Sequence, residues 1–127
     1  MIIHRSELRE GNFIRCKIYN GNKDVIIPFS FNEAKYLHLC EPVPVTAGWL
    51  LSLGFESDID GIYKMEIGRK SFALQIGDEG VGIDSFGVRA NIGVRYAELN
   101  VVCQYVHQLQ NIIYALAETE LTYKPVL

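Results

Sequence analysis

The stretch IYKMEIGRKSFALQIGDEGVGI, residues 62–83, decides the fold class, because apolar and polar side chains alternate along it and glycine-rich turns interrupt it. The apolar members of its first two runs are Tyr63, Met65, Ile67, Phe72, Leu74 and Ile76. Alternation with a period of two is typical of a β-strand that buries one face and exposes the other to water. The stretch therefore predicts a meander of antiparallel strands.

Two elements are predicted before the meander. The dipeptide Asn20-Gly21 separates two extended apolar runs, and it is typical of a tight hairpin turn, since both central residues of that turn need positive φ. Thr46 is suited to an N-cap, residues 47–53 to a helix of two turns, and Gly54 to the position just past its end. We therefore expect an N-terminal hairpin and a short central helix.

The clearest helical pattern lies near the C-terminus. From about residue 102 to residue 117, apolar side chains recur at intervals of three and four, which is the spacing of an amphipathic helix. The residues of this stripe are Val102, Tyr105, Val106, Leu109, Ile112, Ile113 and Leu116. We expect a long helix whose apolar stripe packs on the sheet.

Together these elements predict a single α+β domain over residues 1–127. Its antiparallel sheet combines the N-terminal hairpin with the central meander, and the long C-terminal amphipathic helix and the short central helix pack against that sheet. A chain of 127 residues has the length of one domain and can bury a core of its own. The pattern leaves the conformation of residues 28–45 open.

The face of the predicted C-terminal helix that lies opposite the stripe is uncharged and rich in amides. It carries Gln104, His107, Gln108 and Asn111, with Tyr114 at its rim. We interpret this face as a binding surface for a protein partner or for a second copy of the chain, because it lacks the Lys and Glu that are depleted in interface cores. The alternative is an ordinary solvated face, which most amphipathic helices have.

The charge balance bears on nucleic-acid binding. The chain has 12 Lys and Arg against 15 Asp and Glu, which gives a net charge of −3. Because contacts with phosphates dominate affinity for nucleic acids, this balance weighs against such binding. Arg15 and Lys17 nevertheless share one strand face, and Phe13 and Tyr19 are able to stack on bases. Weak binding of nucleic acid is therefore kept as an alternative.

The N-terminus and the cysteines both favour a soluble protein without an export signal. Cys16, Cys40 and Cys103 are odd in number and far apart, so we expect free, buried thiols rather than a disulfide framework or a zinc site. The first residues lack the apolar run of a secretory signal. The uncharged stretch at 99–117 contains too many amides for a membrane span. We expect a cytoplasmic protein that does not enter membranes.

The motifs of site chemistry are incomplete. His38 and Cys40 have no further ligand at a metal-site spacing, and Arg69 stands where a calcium loop starting at Asp58 needs glutamate. The glycine-rich residues 77–82 are acidic and are thus unsuited to phosphate. No motif of a familiar catalytic mechanism occurs in the sequence. We therefore expect no catalytic, cofactor-binding or metal-ligating residues.

Three blocks of the sequence carry a resemblance to one family. The blocks are LREGNFI at residues 8–14, EPVPVT at 41–46 continuing to WLLSLGF at 49–55, and YVHQLQN at 105–111. In order and spacing they resemble a group of short proteins from Bacteroides-type gut bacteria and from their phages, prophages and mobile elements. The chain departs from that group at Glu10, at Gly48 and at Glu118, which stands near the place of a helix-ending glycine.

The resemblance implies an accessory protein encoded by a phage or a mobile element, and it implies no particular activity. We therefore expect a non-enzymatic protein-interaction module that acts on a protein partner or through self-association. A weak nucleic-acid-binding protein is the alternative from another class, and an enzyme of unknown reaction comes third.

Overall fold

The computed structural model describes residues 5–20, 23–30, 39–58, 61–77, 80–89 and 94–124. A 3-10 turn at Arg5–Glu7 precedes the regular elements. The strands are β1 (Phe13–Asn20), β2 (Lys23–Pro28), β3 (Cys40–Pro42), β4 (Glu56–Ser57), β5 (Ile62–Ile67), β6 (Lys70–Gly77), β7 (Gly80–Arg89) and β8 (Val94–Cys103). The helices are α1 (Ala47–Ser52) and α2 (Val106–Ala117). This composition is consistent with the predicted α+β class.

The strands form two antiparallel sheets, so the prediction of one sheet is wrong. The first has the order β2-β1-β3 and the second the order β4-β5-β6-β7-β8. The extended residues after β3 explain the separation, because they bond to the chain that leaves β8. Val106 N–H donates to Val43 O (2.8 Å), and Val45 N–H donates to Gln104 O (3.1 Å). The hairpin thus joins the meander through a short connection instead of continuing its sheet.

The meander itself is present with the register that alternation requires. Tyr63 pairs with Leu74 and Met65 with Phe72, so that the apolar side chains share one face. The side chain of Leu74 is fully buried. Gly80 begins β7 with φ +133°, and a Cβ at this residue would lie 2.5 Å from the carbonyl oxygen of Cys103. Glycine is therefore required where β7 comes close to β8.

The hairpin also forms, between β1 and β2. Phe13 pairs with Pro28 and Asn20 with Lys23, with a register shift between Cys16 and Asn20. The predicted turn residue Gly21 lies outside the described residues.

The short helix α1 begins as predicted. The side-chain oxygen of Thr46 accepts a hydrogen bond from Trp49 N–H (3.2 Å) and so caps the N-terminus. Leu53 is the C-cap, and Gly54 follows with φ +101°.

The C-terminal helix α2 is shorter than predicted. It has 12 residues and begins at Val106, because Val102 and Cys103 belong to β8 and pair with Gly82 and Val81. Its other end lies at Glu118, which adopts φ +52° in the left-handed region. The ammonium group of Lys70 donates to Leu116 O (2.8 Å) at this end. A cation near a helix C-terminus also interacts favourably with the helix dipole.

The two helices and the meander enclose the larger core. Its buried residues are Val43, Leu50, Leu53, Phe55, Phe72, Leu74, Val81, Ile83, Cys103, Val106, Leu109, Ile113 and Leu121. A smaller core contains Leu8, Ile14, Cys16, Phe29 and Cys40. Neither α1 nor α2 is long and apolar enough to cross a membrane, and the same holds for every other helix in the described ranges.

The prediction of three free thiols is wrong. Cys16 and Cys40 form a disulfide, and Cys103 is free and buried. The two bonded residues are register partners on β1 and β3. Sequence spacing could not reveal this pairing, because it depends on where the unassigned residues 28–45 place β3.

Candidate functional site

The chain's own N-terminal segment, residues 7–12, contacts α2 at Gln110 and at Asn111, of which Asn111 belongs to the face that was predicted to bind a partner. Gln110 accepts a hydrogen bond from Phe13 N–H at Oε1 (2.9 Å) and donates from Nε2 to Gly11 O (3.1 Å). Asn111 donates from Nδ2 to Glu7 O (2.8 Å) and accepts at Oδ1 from the Asn12 amide (2.9 Å). The amide groups of α2 therefore satisfy the backbone of an irregular segment of the same chain.

Arg9 completes this contact from the N-terminal side. Its guanidinium lies 4.1 Å from the centre of the Tyr114 ring and donates from Nε to Asn111 Oδ1 (3.1 Å). It also forms an ion pair with Glu120, and the other carboxylate oxygen of Glu120 accepts from Gln110 (3.3 Å). We call the network of Arg9, Asn12, Gln110, Asn111 and Glu120 the polar clamp.

The five residues predicted as a partner surface thus fall into different environments. Gln104 and Gln108 are exposed, and Gln108 Oε1 accepts from the N–H groups of Gln104 (2.9 Å) and Tyr105 (3.1 Å) at the start of α2. Asn111 is half-buried in the polar clamp, and Tyr114 is exposed beside Arg9. The structure brings Asn111 and Tyr114 together through Arg9.

The expectation that His107 faces outward is wrong, because the side chain is 1% exposed. Its ring stacks on Tyr105 with centroids 5.9 Å apart, and Nε2 lies 3.6 Å from a carboxylate oxygen of Glu7, too far for a hydrogen bond. Neither ring nitrogen has a hydrogen-bond partner among the described residues. Burial lowers the pKa of His107 although the Glu7 charge opposes this shift, so the imidazole is neutral in the folded protein at neutral pH.

A second site, which the sequence did not predict, is an aromatic pocket lined by Phe13, Ile26, Trp49 and Tyr123. Its volume is about 170 Å³. The ring centroids of Trp49 and Tyr123 are 5.2 Å apart, and that of Phe13 lies 5.5 Å from Trp49 and 5.9 Å from Tyr123. The rings are inclined to one another by 46–59°. They therefore present both edges and faces to the space between them.

Three separate elements hold the pocket open to the surface. Phe13 begins β1, where its N–H is held by Gln110. Trp49 lies in the first turn of α1. Tyr123 belongs to the segment after α2, which is fixed where Lys124 N–H donates to Ser52 O (2.7 Å). The side chains of Tyr123 and Ile26 remain 47% and 43% exposed. No local pattern in the sequence could reveal a site that is assembled from such distant residues.

Two further surface cavities are more polar. One, of about 420 Å³, is lined by Gly54, Glu56, Lys64, Met65 and Glu66. The other, of about 220 Å³, is lined by Arg15, Glu41, Pro42, Pro44 and Tyr105. In the described part of the chain, burial shifts the pKa of two groups. It raises the pKa of Cys103 to about 11 and lowers the pKa of His107. Both groups lie in packed interior, so neither points to chemistry in a cavity.

The weak metal-site candidates gain no support. Cys40 is bonded to Cys16, and His38 lies outside the described residues. Among the residues that the structure describes, no group of three His, Cys, Asp or Glu side chains is placed to hold a metal ion.

Comparisons of the chain with protein-family models, with curated proteins and with solved structures find no match.

Proposed function

We propose that the protein is a non-enzymatic protein-interaction module that binds its partner through the aromatic pocket. The exposure of Tyr123 beside Trp49 in a concave apolar surface is the observation that carries this proposal. Tyr and Trp are enriched in binding hot spots, since they bury a large area at a low cost in side-chain entropy. The amide-rich face of α2 is a weaker candidate, because its hydrogen bonds are made within the chain.

The size of the pocket specifies the partner's chemistry. A volume of about 170 Å³ is smaller than the roughly 300–1,000 Å³ of small-molecule sites and matches the space of a single side chain. The walls are three aromatic rings and an isoleucine, so an apolar or aromatic side chain gains most from entering. The proposed ligand is therefore an extended protein segment that inserts one apolar side chain, as in aromatic-lined peptide grooves.

The context of this function comes from the resemblance in the three sequence blocks. It supports the proposal that the protein is an accessory factor of a phage or mobile element and that it acts in the cytoplasm. Weak nucleic-acid binding is the alternative, because exposed rings also stack on bases, although a net charge of −3 gives phosphates little attraction.

The single tryptophan of the chain provides a direct test. A displayed random-peptide library is selected on the wild-type protein, and the enriched peptides are titrated while the fluorescence of Trp49 is recorded. We expect enriched peptides to share an apolar anchor, to change the Trp49 emission, and to bind Tyr123→Ala at least about tenfold more weakly, which corresponds to about 1.4 kcal/mol.

Tyr114→Ala is the matched control, because Tyr114 is 41% exposed but lies away from the pocket beside Arg9. Peptide binding should be unchanged in this variant. Absence of any enriched peptide, or equal binding to Tyr123→Ala, contradicts the proposal. Mixed-sequence oligonucleotides are titrated in parallel at low salt, and binding that depends on Tyr123 there would favour the alternative.

A further inference from the structure

We propose that the Cys16–Cys40 disulfide is a redox-responsive latch, which thiol–disulfide exchange opens to release β3 from the three-stranded sheet. This regulation is separate from the aromatic pocket and does not depend on the proposed binding role. Its basis is the position of the two cysteines, the short length of β3 at the edge of its sheet, and the connection that β3 makes.

The disulfide links two residues that face each other on neighbouring strands. Cys16 on β1 is the register partner of Cys40 on β3, and their Cα atoms are 4.2 Å apart. Both side chains lie in the smaller core, with exposed fractions of 1% and 5%. The bond therefore ties an edge strand to the central strand of its sheet from the buried side.

Apart from the disulfide, β3 is a short element that pairs with β1 alone among the described strands. The strand has three residues, Cys40–Pro42, and lies at the edge of its sheet. Pro42 has no N–H to donate to the ladder, and the side chain of Glu41 between the two buried residues is exposed. An edge strand of this length opens easily once its covalent link is removed.

The connection beyond β3 is anchored independently. Val43 is buried in the larger core, and its carbonyl oxygen accepts from Val106 N–H at the start of α2. Val45 is held by Gln104 O at the end of β8. Release of residues 40–42 therefore frees the edge of β1 and loosens the smaller core, while the larger core keeps its contacts.

Opening occurs by two exchange steps with a small thiol such as glutathione. Because both cysteines are buried, glutathione reaches the disulfide when the edge strand β3 opens locally. Its thiolate then attacks one sulfur, forms a mixed disulfide and expels the other cysteine as a thiolate, which takes up a proton. A second glutathione resolves the mixed disulfide, so that two protein thiols and one glutathione disulfide result. The two electrons come from glutathione, and glutathione disulfide drives the reverse reaction. In a reducing compartment, disulfides of this kind are transient or regulatory.

The test uses the full chain with Cys103→Ala. Cys16 and Cys40 are then the two cysteines that remain in the sequence. The protein is equilibrated in glutathione buffers of different redox ratio, its thiols are counted by alkylation and intact mass, and hydrogen exchange is followed by peptide mass spectrometry. We expect the disulfide to form in oxidising buffer. Reduction should increase exchange at residues 14–16 and 40–42 at least about tenfold and leave residues 106–117 unchanged.

Cys16→Ala holds the latch open and should show the faster exchange at residues 40–42 in both buffers. The wild-type chain is the matched control and should respond as Cys103→Ala does, because burial raises the pKa of the Cys103 thiol to about 11 and keeps it unreactive. Three results would overturn the proposal: no disulfide in oxidising buffer, unchanged exchange at residues 40–42 after reduction, or loss of protection throughout α2. Should Cys16→Ala not fold, the reduced and oxidised forms of Cys103→Ala still decide.

Discussion

Gln110 shows how a single buried amide can organise distant parts of a chain. Its side chain is fully buried, yet it accepts from Phe13 N–H and donates to Gly11 O and to the Glu120 carboxylate. Burying a polar group without hydrogen-bond partners costs free energy. These three hydrogen bonds offset that cost, and they also fix the position of the Gln110 side chain. Gln110 therefore fixes the N-terminal segment to α2 and also positions Phe13 in the aromatic pocket.

We expect Gln110→Met to lower the free energy of unfolding by roughly 2–4 kcal/mol. The methionine has a similar length, but it removes the hydrogen bonds of Gln110 to the part-buried N–H of Phe13 and carbonyl of Gly11, at about 1–2 kcal/mol each. Urea unfolding followed by circular dichroism measures the change. Gln104→Ala is the control, since this exposed side chain should contribute less than about 0.5 kcal/mol. Equal stability of the two variants would show that the polar clamp does not stabilise the fold.

The same residues show what sequence periodicity can and cannot predict. The pattern correctly placed Leu109 and Ile113 in the buried stripe of α2, but it wrongly placed the buried His107 on the amide-rich outer face. It could not distinguish a face that binds a separate protein from one that binds an irregular segment of the same chain, because both need amides in place of charges. That segment, residues 7–12, has no periodicity of its own. The periodicity that predicts α2 therefore gives no sign of this contact.

At the scale of elements, the boundary between β8 and α2 illustrates a competition between local pattern and strand pairing. Val102 and Tyr105 fit the spacing of the helical stripe, so the sequence pattern predicts a helix that begins at about residue 102. The pairing of Cys103 with Val81 continues β8 instead and moves the start of α2 to Val106. Long-range hydrogen bonds of this kind are not encoded in the local spacing of apolar residues.

The close approach of β7 to β8 yields a prediction about Gly80. In Gly80→Ala, the added Cβ meets the carbonyl oxygen of Cys103 and the backbone is held at φ +133°, so we expect a loss of at least about 1–3 kcal/mol in the free energy of unfolding. Gly77→Ala is the matched control at the other side of the same turn, because its Cβ would lie 3.9 Å from the nearest atom. Chemical denaturation of both variants gives the comparison, and a tolerated Gly80→Ala would contradict this arrangement of β7 and β8.

At the scale of the whole molecule, the alternating stretch predicted the meander but not the division into two sheets. The hairpin and the meander are each predicted by a local sequence pattern. No local pattern indicates whether an edge strand of one pairs with an edge strand of the other. The outcome depends on residues 43–45, which bond to residues 104–106 and leave β3 as the edge of a separate sheet. The aromatic pocket and the disulfide are also products of this arrangement. Neither could be predicted before the positions of the two sheets were known.

The stability of the whole protein should depend on pH through His107. Burial lowers the pKa of His107 in the folded state, whereas the unfolded chain has the ordinary value of about 6.5. Above that pH the imidazole is neutral in both states, and its contribution to stability is complete. As the pH falls below about 6.5, the unfolded chain takes up a proton that the folded chain still excludes, so the free energy of unfolding decreases.

Urea unfolding at pH 7.5 and at pH 5.5 measures this dependence. We expect His107→Phe, whose ring can still stack on Tyr105, to lose less stability between the two values than the wild type does. Each protein is compared by the change in its free energy of unfolding between the two pH values. An effect of the substitution on packing that is the same at both pH values therefore cancels. An identical difference in both proteins would mean that His107 takes up its proton without disturbing the fold.

The polar clamp has a consequence for the order in which the protein acquires its shape during synthesis. Asn12 and Arg9 bond to partners that lie 98–111 residues further along the chain. A ribosome makes Arg9 and Asn12 about 100 residues before the partners of their side chains. These hydrogen bonds therefore cannot form until that further stretch of chain has been synthesised, and native contacts of such long range form late and slowly.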